Sequence, residues 1–397
     1  MQDDASKTQI MEPVQSTRTV TLEELAPPAD SAALSVRDVL RDLPVKPRDR
    51  YKFLRTIGFG GMKSVLLVYD SDTLREVALA IMPDYRERKV QDILRFIQEA
   101  KITARLEHPN IVPVHDFGVD TGGAPYFTMK YLQGRTMATI LRKLRQRDEE
   151  TLAEYDISKL LRIYLRICNA IGFAHSQQII HLDLKPENIH VGEFGEVQVL
   201  DWGLAKPIEA PELDSAAPAC RSGKLSAGQT RDGVARGTPG YMAPEQAAGR
   251  NRQKDQRTDI YALGCILYAM LTFETPLAGQ EVQEVLKATI RGNIKTPSEL
   301  ENPVRPIPAA LEAICLKAME RYQENRYQSV DELREDITAF MGGFAPKAAN
   351  ANPLQKTFLF IGRNLLASCL AVAVFLLLLT AGVLVYCYVN EIITLNI

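Results

Sequence analysis

The run His181-Leu182-Asp183-Leu184-Lys185-Pro186-Glu187-Asn188 constrains this chain more than any other feature. It follows a stretch whose apolar residues (Leu160, Ile163, Tyr164, Ile167, Ile171 and Ala174) share one helical face, and it precedes the strand-like Ile189-His190-Val191. An aspartate, a lysine two residues on and an asparagine five on are thus gathered in one short polar loop between apolar elements. Chemically the set suits a base for a hydroxyl, a phosphate clamp and a metal ligand. The plain alternative is a polar loop that only caps a helix. Thirteen residues past Asn188, Val199-Leu200-Asp201-Trp202-Gly203 puts a carboxylate directly after a strand. An isolated Asp-x-Gly is usually just a turn, but at this distance from the first cluster it reads as a second metal ligand. Gly237-Thr238-Pro239-Gly240-Tyr241-Met242-Ala243-Pro244-Glu245 closes the segment.

The surrounding pattern divides in two. Tyr51 to Gly58, Ser64 to Tyr69 and Glu76 to Ile81 are short β-prone runs separated by turn residues. A helical period follows over Val90 to Leu106 and breaks at His108-Pro109-Asn110. From Leu132 onward helices dominate, with Asp259 to Leu271 apolar enough to be buried on all sides, and Leu311 to Met319 and Val330 to Phe340 behind it. A small strand lobe followed by a larger helical lobe predicts an α+β, two-lobed fold. Between the first two strands lies Gly58-Phe59-Gly60-Gly61-Met62-Lys63-Ser64-Val65. Its glycines allow a tight turn whose amides approach phosphate closely, although glycine-rich hairpins are common and carry little weight alone.

Taken in order, these motifs resemble the protein kinases, specifically the bacterial serine/threonine (Hanks-type) group, over about residues 50–342. The resemblance implies Mg-ATP as phosphate donor and protein hydroxyls as acceptors. It makes Asp183 the catalytic base, Lys185 the γ-phosphate lysine, and Asn188 and Asp201 the Mg²⁺ ligands. Glu99 matches the helix glutamate that pairs with the ATP lysine. Gly58, Gly60, Gly61 and Val65 belong to the nucleotide-covering loop. Met129 resembles the gatekeeper, and Lys130, Tyr131 and Leu132 the hinge whose backbone holds adenine. Glu245 and Arg326 match a buried structural ion pair, and Asp259 an anchor of the catalytic loop.

The pattern is broken in places. In Glu76-Val77-Ala78-Leu79-Ala80-Ile81, alanine 80 stands where V-A-I-K carries the phosphate-holding lysine. One reading is a catalytically inactive pseudokinase, a membrane-tethered interaction module. The other gives the role to Lys63, at the start of the neighbouring strand, whose side chain spans about 6 Å. In that one respect the chain resembles the with-no-lysine kinases. With Glu99, Asp183, Lys185, Asn188 and Asp201 all intact, the relocated lysine is the favoured reading. Leu182 replaces the arginine that pairs with a phosphorylated activation loop, which implies activity not switched mainly by that phosphate. Asp201 to Glu245 spans 45 residues, and its Ala-, Ser-, Gly- and Pro-rich middle predicts mobility. Ser222, Ser226 and Thr230 are accessible hydroxyls within it. Trp202 for the usual Phe keeps a large apolar plug.

A net charge of −2 gives no electrostatic case for nucleic acid. The six cysteines form no C-x-x-C pair and read as reduced thiols. Residues 1–47 have the composition of a disordered segment, although Val36, Val39, Leu40 and Leu43 would share one side of a short helix. From Asn364 to Asn390 there is no charged residue, and Leu365 to Val389 is a 25-residue apolar run. About 20 such residues span a bilayer, so 365–389 reads as a transmembrane helix after a 343–363 linker, with 390–397 a short tail. Lys347, Lys356 and Arg363 precede it and only Glu391 follows. The positive-inside tendency then places the kinase-like part in the cytoplasm, on the inner (plasma) membrane. Expected partners are ATP, protein substrates, the lipid bilayer and a second copy for trans-autophosphorylation.

Overall fold

β-Branched and aromatic residues in short runs build the first layer. β1 (Tyr51–Phe59), β2 (Ser64–Asp70), β3 (Arg75–Ile81), β4 (Val114–Val119) and β5 (Pro125–Lys130) form one antiparallel sheet in the order β1-β2-β3-β5-β4. The computed structural model describes residues 35–45, 48–60, 63–208, 235–277, 281–300 and 304–395. Two register shifts in β1, between Phe53 and Arg55 and between Thr56 and Gly58, bend that strand as it approaches the glycine-rich turn. On one face of the sheet lies α2 (Val90–Arg105), the helix predicted over Val90 to Leu106. Ile93, Phe96, Ile97 and Ala100 recur at helical spacing and bury against Ala80, Met82 and Phe127. At the opposite corner, Arg50 grips Asp70 through Nε at 2.8 Å and reaches Asp116 at 3.2 Å, tying the entry of β1 to β2 and β4.

The composition of 1–47 suggested disorder, yet residues 35–45 are ordered. α1 (Val36–Leu40) is capped by Ser35 and Asp38, which satisfy each other's backbone amides in a capping box. Its apolar side packs on the cluster beneath α2. The apolar side that Val36, Val39, Leu40 and Leu43 were expected to share is the one that docks, and a helix of five residues does not hold alone in water, so its order comes from that docking.

The helical layer follows β6 (Gly134–Thr136), and its first helices are α3 (Met137–Arg145), α4 (Glu149–Glu154) and α5 (Ile157–Ser176). Asp156 caps α5, accepting from the Lys159 amide at 2.6 Å, and all six residues of the expected apolar face are buried. The catalytic-loop segment lies between β7 (Ile179–Ile180) and β8 (Ile189–Gly192), and β9 (Val197–Val199) pairs antiparallel with β8. Beyond β10 (Lys206–Pro207) come α6 (Pro244–Ala247), α7 (Gln256–Thr272), α8 (Val282–Arg291), α9 (Ala309–Ala318) and α10 (Val330–Met341). From Thr258 to Thr272 every residue of α7 is buried, as its unbroken apolar run predicts. The arrangement is the two-lobed α+β fold that the pattern called for.

Cys168, Cys265 and Cys315 are buried free thiols. After α10 the chain continues through α11 (Pro353–Arg363) into α12 (Leu365–Leu395), broken at Asn364. Among the described residues no helix is long and apolar enough to cross a membrane; the described side chains of α12 run only from Leu370 to Tyr386.

Candidate active site

The two lobes meet at a cavity of about 580 Å³. Its roof is the β1–β2 turn, where the Gly60 amide donates to the Lys63 carbonyl at 2.9 Å. Gly58 and Val65 sit across from each other in the register and both line the cavity, as does Gly60. Gly61 lies outside the described residues. At the back, Met129 pairs with Ala78 of β3, and both face the opening. Tyr131 and Leu132 form the edge where β5 leaves the sheet. The Tyr131 hydroxyl accepts from Arg55 at 2.8 Å, so the linker is tied to β1. Leu200, Asn188 and Asp201 close the floor. Such a cleft is apolar on most sides with a few convergent polar groups at one end, the usual character of a small-molecule site.

The polar end is organised by Lys63. In the antiparallel register Ser64 pairs with Ile81 and Val65 with Ala80, so Lys63 stands one strand over from the alanine that leaves the family's lysine slot empty. Ala80 is completely buried among apolar side chains of α2 and the sheet. From the residue just before β2, the Lys63 ammonium reaches both Glu99 on α2 and Asp201 Oδ1, the latter at 2.9 Å. Burial works against the ammonium, yet the two carboxylates outweigh it and raise its pKa above that of ordinary lysine. Burial raises the pKa of Glu99, and Lys63 only partly offsets that. Burial would also raise that of Asp201, but Lys63 wins there and the net shift is downward. Gly203 lets the loop close on Glu99, since a Cβ there would lie 3.2 Å from Glu99 Oε2.

Asp183 is held by a different set of contacts. Its Oδ2 accepts from Lys185 Nζ at 2.7 Å and its Oδ1 from the Thr238 hydroxyl at 2.9 Å. Lys185 also donates to Thr238 Oγ1 at 2.8 Å, closing a three-residue ring. Asp183 and Asp201 share a smaller adjoining cavity of about 220 Å³ with Lys63 and Glu99. The loop is anchored from below by Asp259 on α7. Its carboxylate accepts from the amides of His181 at 2.8 Å and Leu182 at 2.9 Å and contacts His175 Nε2 at 2.8 Å. Burial alone would raise the Asp259 pKa, but these hydrogen bonds and the two histidines hold it below the usual carboxylate range. Leu182 and Asp201 both carry positive φ, at 66° and 60°. Non-glycine residues in that conformation are strained and collect at functional loops. Trp202 is buried against His181, with ring centroids 4.5 Å apart.

Asn188 donates through Nδ2 to the Asp183 carbonyl at 2.9 Å, which leaves its amide oxygen for another partner. With a carboxylate oxygen of Asp201 this makes a small, hard oxygen donor set. Among the described residues no group of three or more His, Cys, Asp or Glu side chains is placed to hold a metal by itself. Two oxygen donors of this kind suit Mg²⁺, which keeps few protein ligands and completes its shell with substrate phosphates and water.

Residues 51–336 match the family model described as the protein kinase domain. The chain belongs to the protein kinase family. The kinase is similar to the serine/threonine-protein kinase PknD of Protochlamydia amoebophila, 39% identical over 308 residues, covering 76% of this chain and 31% of that protein. It resembles the same-named protein of Chlamydia felis at 39% over 301 residues (74% and 31%) and that of Chlamydia trachomatis serovar D at 36% over 303 residues (74% and 32%). The chain thus spans about a third of the length of these relatives, all of the serine/threonine group. Thr238 is the site residue that sequence reasoning left without a role. Its signal was a hydroxyl directly after Gly237, in a kinase segment read only for its closing Glu245. Ser222, Ser226 and Thr230 lie outside the described residues.

Proposed function

We propose that this kinase is active, transferring the γ-phosphate of Mg-ATP to serine or threonine hydroxyls of proteins, with Lys63 in place of the missing strand lysine. One observation carries the reading: the Lys63 ammonium lies between Glu99 and Asp201 at the polar end of the interlobe cavity. A cation fixed there meets nucleotide phosphates where a lysine from β3 would otherwise stand, and Glu99 sets its direction. Met129, Tyr131 and Leu132 border the space for adenine, and Gly58, Gly60 and Val65 cover the phosphates. Asn188 and Asp201 would hold magnesium, which supplies charge neutralisation for the transferred group. Asp183 orients the acceptor hydroxyl and takes its proton as the oxygen bonds to phosphorus. Lys185, beside it, stabilises charge on the phosphoryl oxygens as the bond to ADP breaks.

Leu182 offers no cation to an activation-loop phosphate, which supports a kinase that does not depend on that phosphate for its active geometry. The apolar residues of α12 support an anchor at 365–389: Leu370, Val374, Leu377, Leu378, Leu384 and Tyr386 are all more than half exposed. A helix apolar on every side needs lipid or protein around it. The full chain is expected to sediment with membranes, and a chain ending at residue 351 to remain in the supernatant; equal partition of the two would refute the anchor.

Labelled γ-phosphate transfer to the protein itself or to a generic protein tests the activity. Label should appear with magnesium present and disappear when a chelator removes it. Absence of label under both conditions would favour the inactive, scaffold reading instead.

A further inference from the structure

We propose that residues 35–45 form an intramolecular strap that holds α2 in place, so that Glu99 stays within reach of Lys63. The inference rests on the functional reading above and assigns the strap's apolar side chains as positioning residues.

The strap is fixed at two points, and Arg50 anchors the chain just beyond it. Val36, Val39, Leu40 and Leu43 follow i, i+3, i+4, i+7 spacing and are half-buried against the cluster that seats α2, whereas Arg37, Asp38, Arg41 and Asp42 are exposed. The chain then runs along β4, the edge strand of the sheet: Val45 bridges Val119, and the Val119 amide donates to the Pro44 carbonyl at 3.1 Å. Beyond it, Arg50 binds Asp70 and Asp116. The strap thus joins the α2 cluster to the sheet edge.

The position of α2 matters because Glu99 reaches the site only from that helix. Glu99 is 8% exposed, and its carboxylate faces Lys63 across the cleft. A small displacement of α2 would separate the pair and leave a buried carboxylate without its cation, a costly arrangement. The apolar cluster on the sheet side resists that displacement, and the strap packs against the same cluster. Docking of α1 therefore shifts the equilibrium of α2 toward the paired position, to the extent that it binds that position better. The vacancy at residue 80 makes this support more consequential. Ala80 offers no lysine tether from β3, so the apolar residues beside it and the Lys63–Glu99 pair are what join the sheet to α2.

The test uses the full chain with Val39→Asp/Leu40→Asp, with Leu40→Met as the conservative variant and Arg37→Asp as the exposed-face control. Amide hydrogen exchange reports α2 opening without any need for turnover. The strap variant should exchange residues 90–105 roughly tenfold faster while 157–176 stay unchanged. Phosphate transfer should fall by a similar factor, with Leu40→Met and Arg37→Asp close to wild type. Combined with Glu99→Gln, the strap substitutions should cost nothing further, because both remove the same pairing. Unchanged exchange in 90–105 would overturn the proposal, as would faster exchange throughout both lobes or a loss fully additive with Glu99→Gln. A wild-type chain that transfers no phosphate would refute the activity, and the exchange result would still decide the strap.

Discussion

Replacing Asp183 with asparagine should lower phosphate transfer by roughly 10²–10⁴-fold, the span that a positioned acid–base group contributes. The substitution is nearly isosteric. Thr238 can still donate to the remaining side-chain oxygen, as it now does to Oδ1 at 2.9 Å. What disappears is the anion proposed to accept the substrate proton, which also balances Lys185, whose ammonium lies 2.7 Å from Oδ2. The backbone anchor is untouched, because the amides of His181 and Leu182 are held by Asp259 rather than by Asp183. Thermal unfolding should therefore stay close to wild type while turnover collapses. Transfer within tenfold of wild type would remove Asp183 from the chemistry.

The largest expected effect on stability lies away from the cleft, at Arg326. Its guanidinium meets Glu245 in a two-pronged pair, both bonds 2.9 Å long, with the arginine side chain wholly buried. It also donates to the carbonyls of Glu320 at 2.7 Å, Arg257 at 2.9 Å and Arg321 at 3.1 Å. Arg326→Met would leave a buried carboxylate and three carbonyls without their partner. Removing one member of a buried pair typically costs about 3–5 kcal/mol, a large share of a domain's stability of about 5–15 kcal/mol. In urea the midpoint should fall sharply with little change in slope. Adding Glu245→Met should recover part of the loss by removing the stranded charge, although Thr258, which donates to Glu245 Oε1 at 2.9 Å, would lose its acceptor. A change below about 1 kcal/mol would mean that water or neighbouring groups already compensate.

Much of this was legible in the chain. The ordered polar clusters at 181–188 and 199–203 identified the fold, because few architectures place such loops at the end of a buried helix and after a strand. The helices over Val90–Arg105 and Val330–Met341, which carry apolar periods, and over Gln256–Thr272, which is an apolar run, appear within three residues of expectation. The approach of Lys63 to Glu99 also followed from local logic: an empty slot at Ala80 and a lysine on the strand beside it. Other features depend on tertiary contact. That Lys63 serves Asp201 as well as Glu99 depends on how the two lobes close. Thr238 joins Asp183 only because a distant segment returns to the catalytic loop. The strap helix, five residues long, is stabilised by the cluster it covers rather than by its own propensity.

The position of Lys63 has a consequence for charge in the cleft. One ammonium now neutralises two carboxylates, Glu99 and Asp201, at the end of the cavity where a triphosphate would bring several negative charges. Without it, those anions would face the nucleotide with no cation from β3 to offset them, since Ala80 is neutral and buried. The penalty for losing Lys63 should thus exceed that of losing a single phosphate contact.

Steady-state phosphate transfer by Lys63→Met, across a range of Mg-ATP concentrations, tests this account most directly. Methionine keeps the apolar stem of lysine and removes the ammonium, with its charge and its donors. The account predicts a fall in kcat/KM of at least roughly 10²-fold, with the exchange protection of 90–105 reduced as Glu99 loses its partner. Transfer that persists within a few-fold of wild type would contradict it, and would mean that a cation other than Lys63 holds the phosphates.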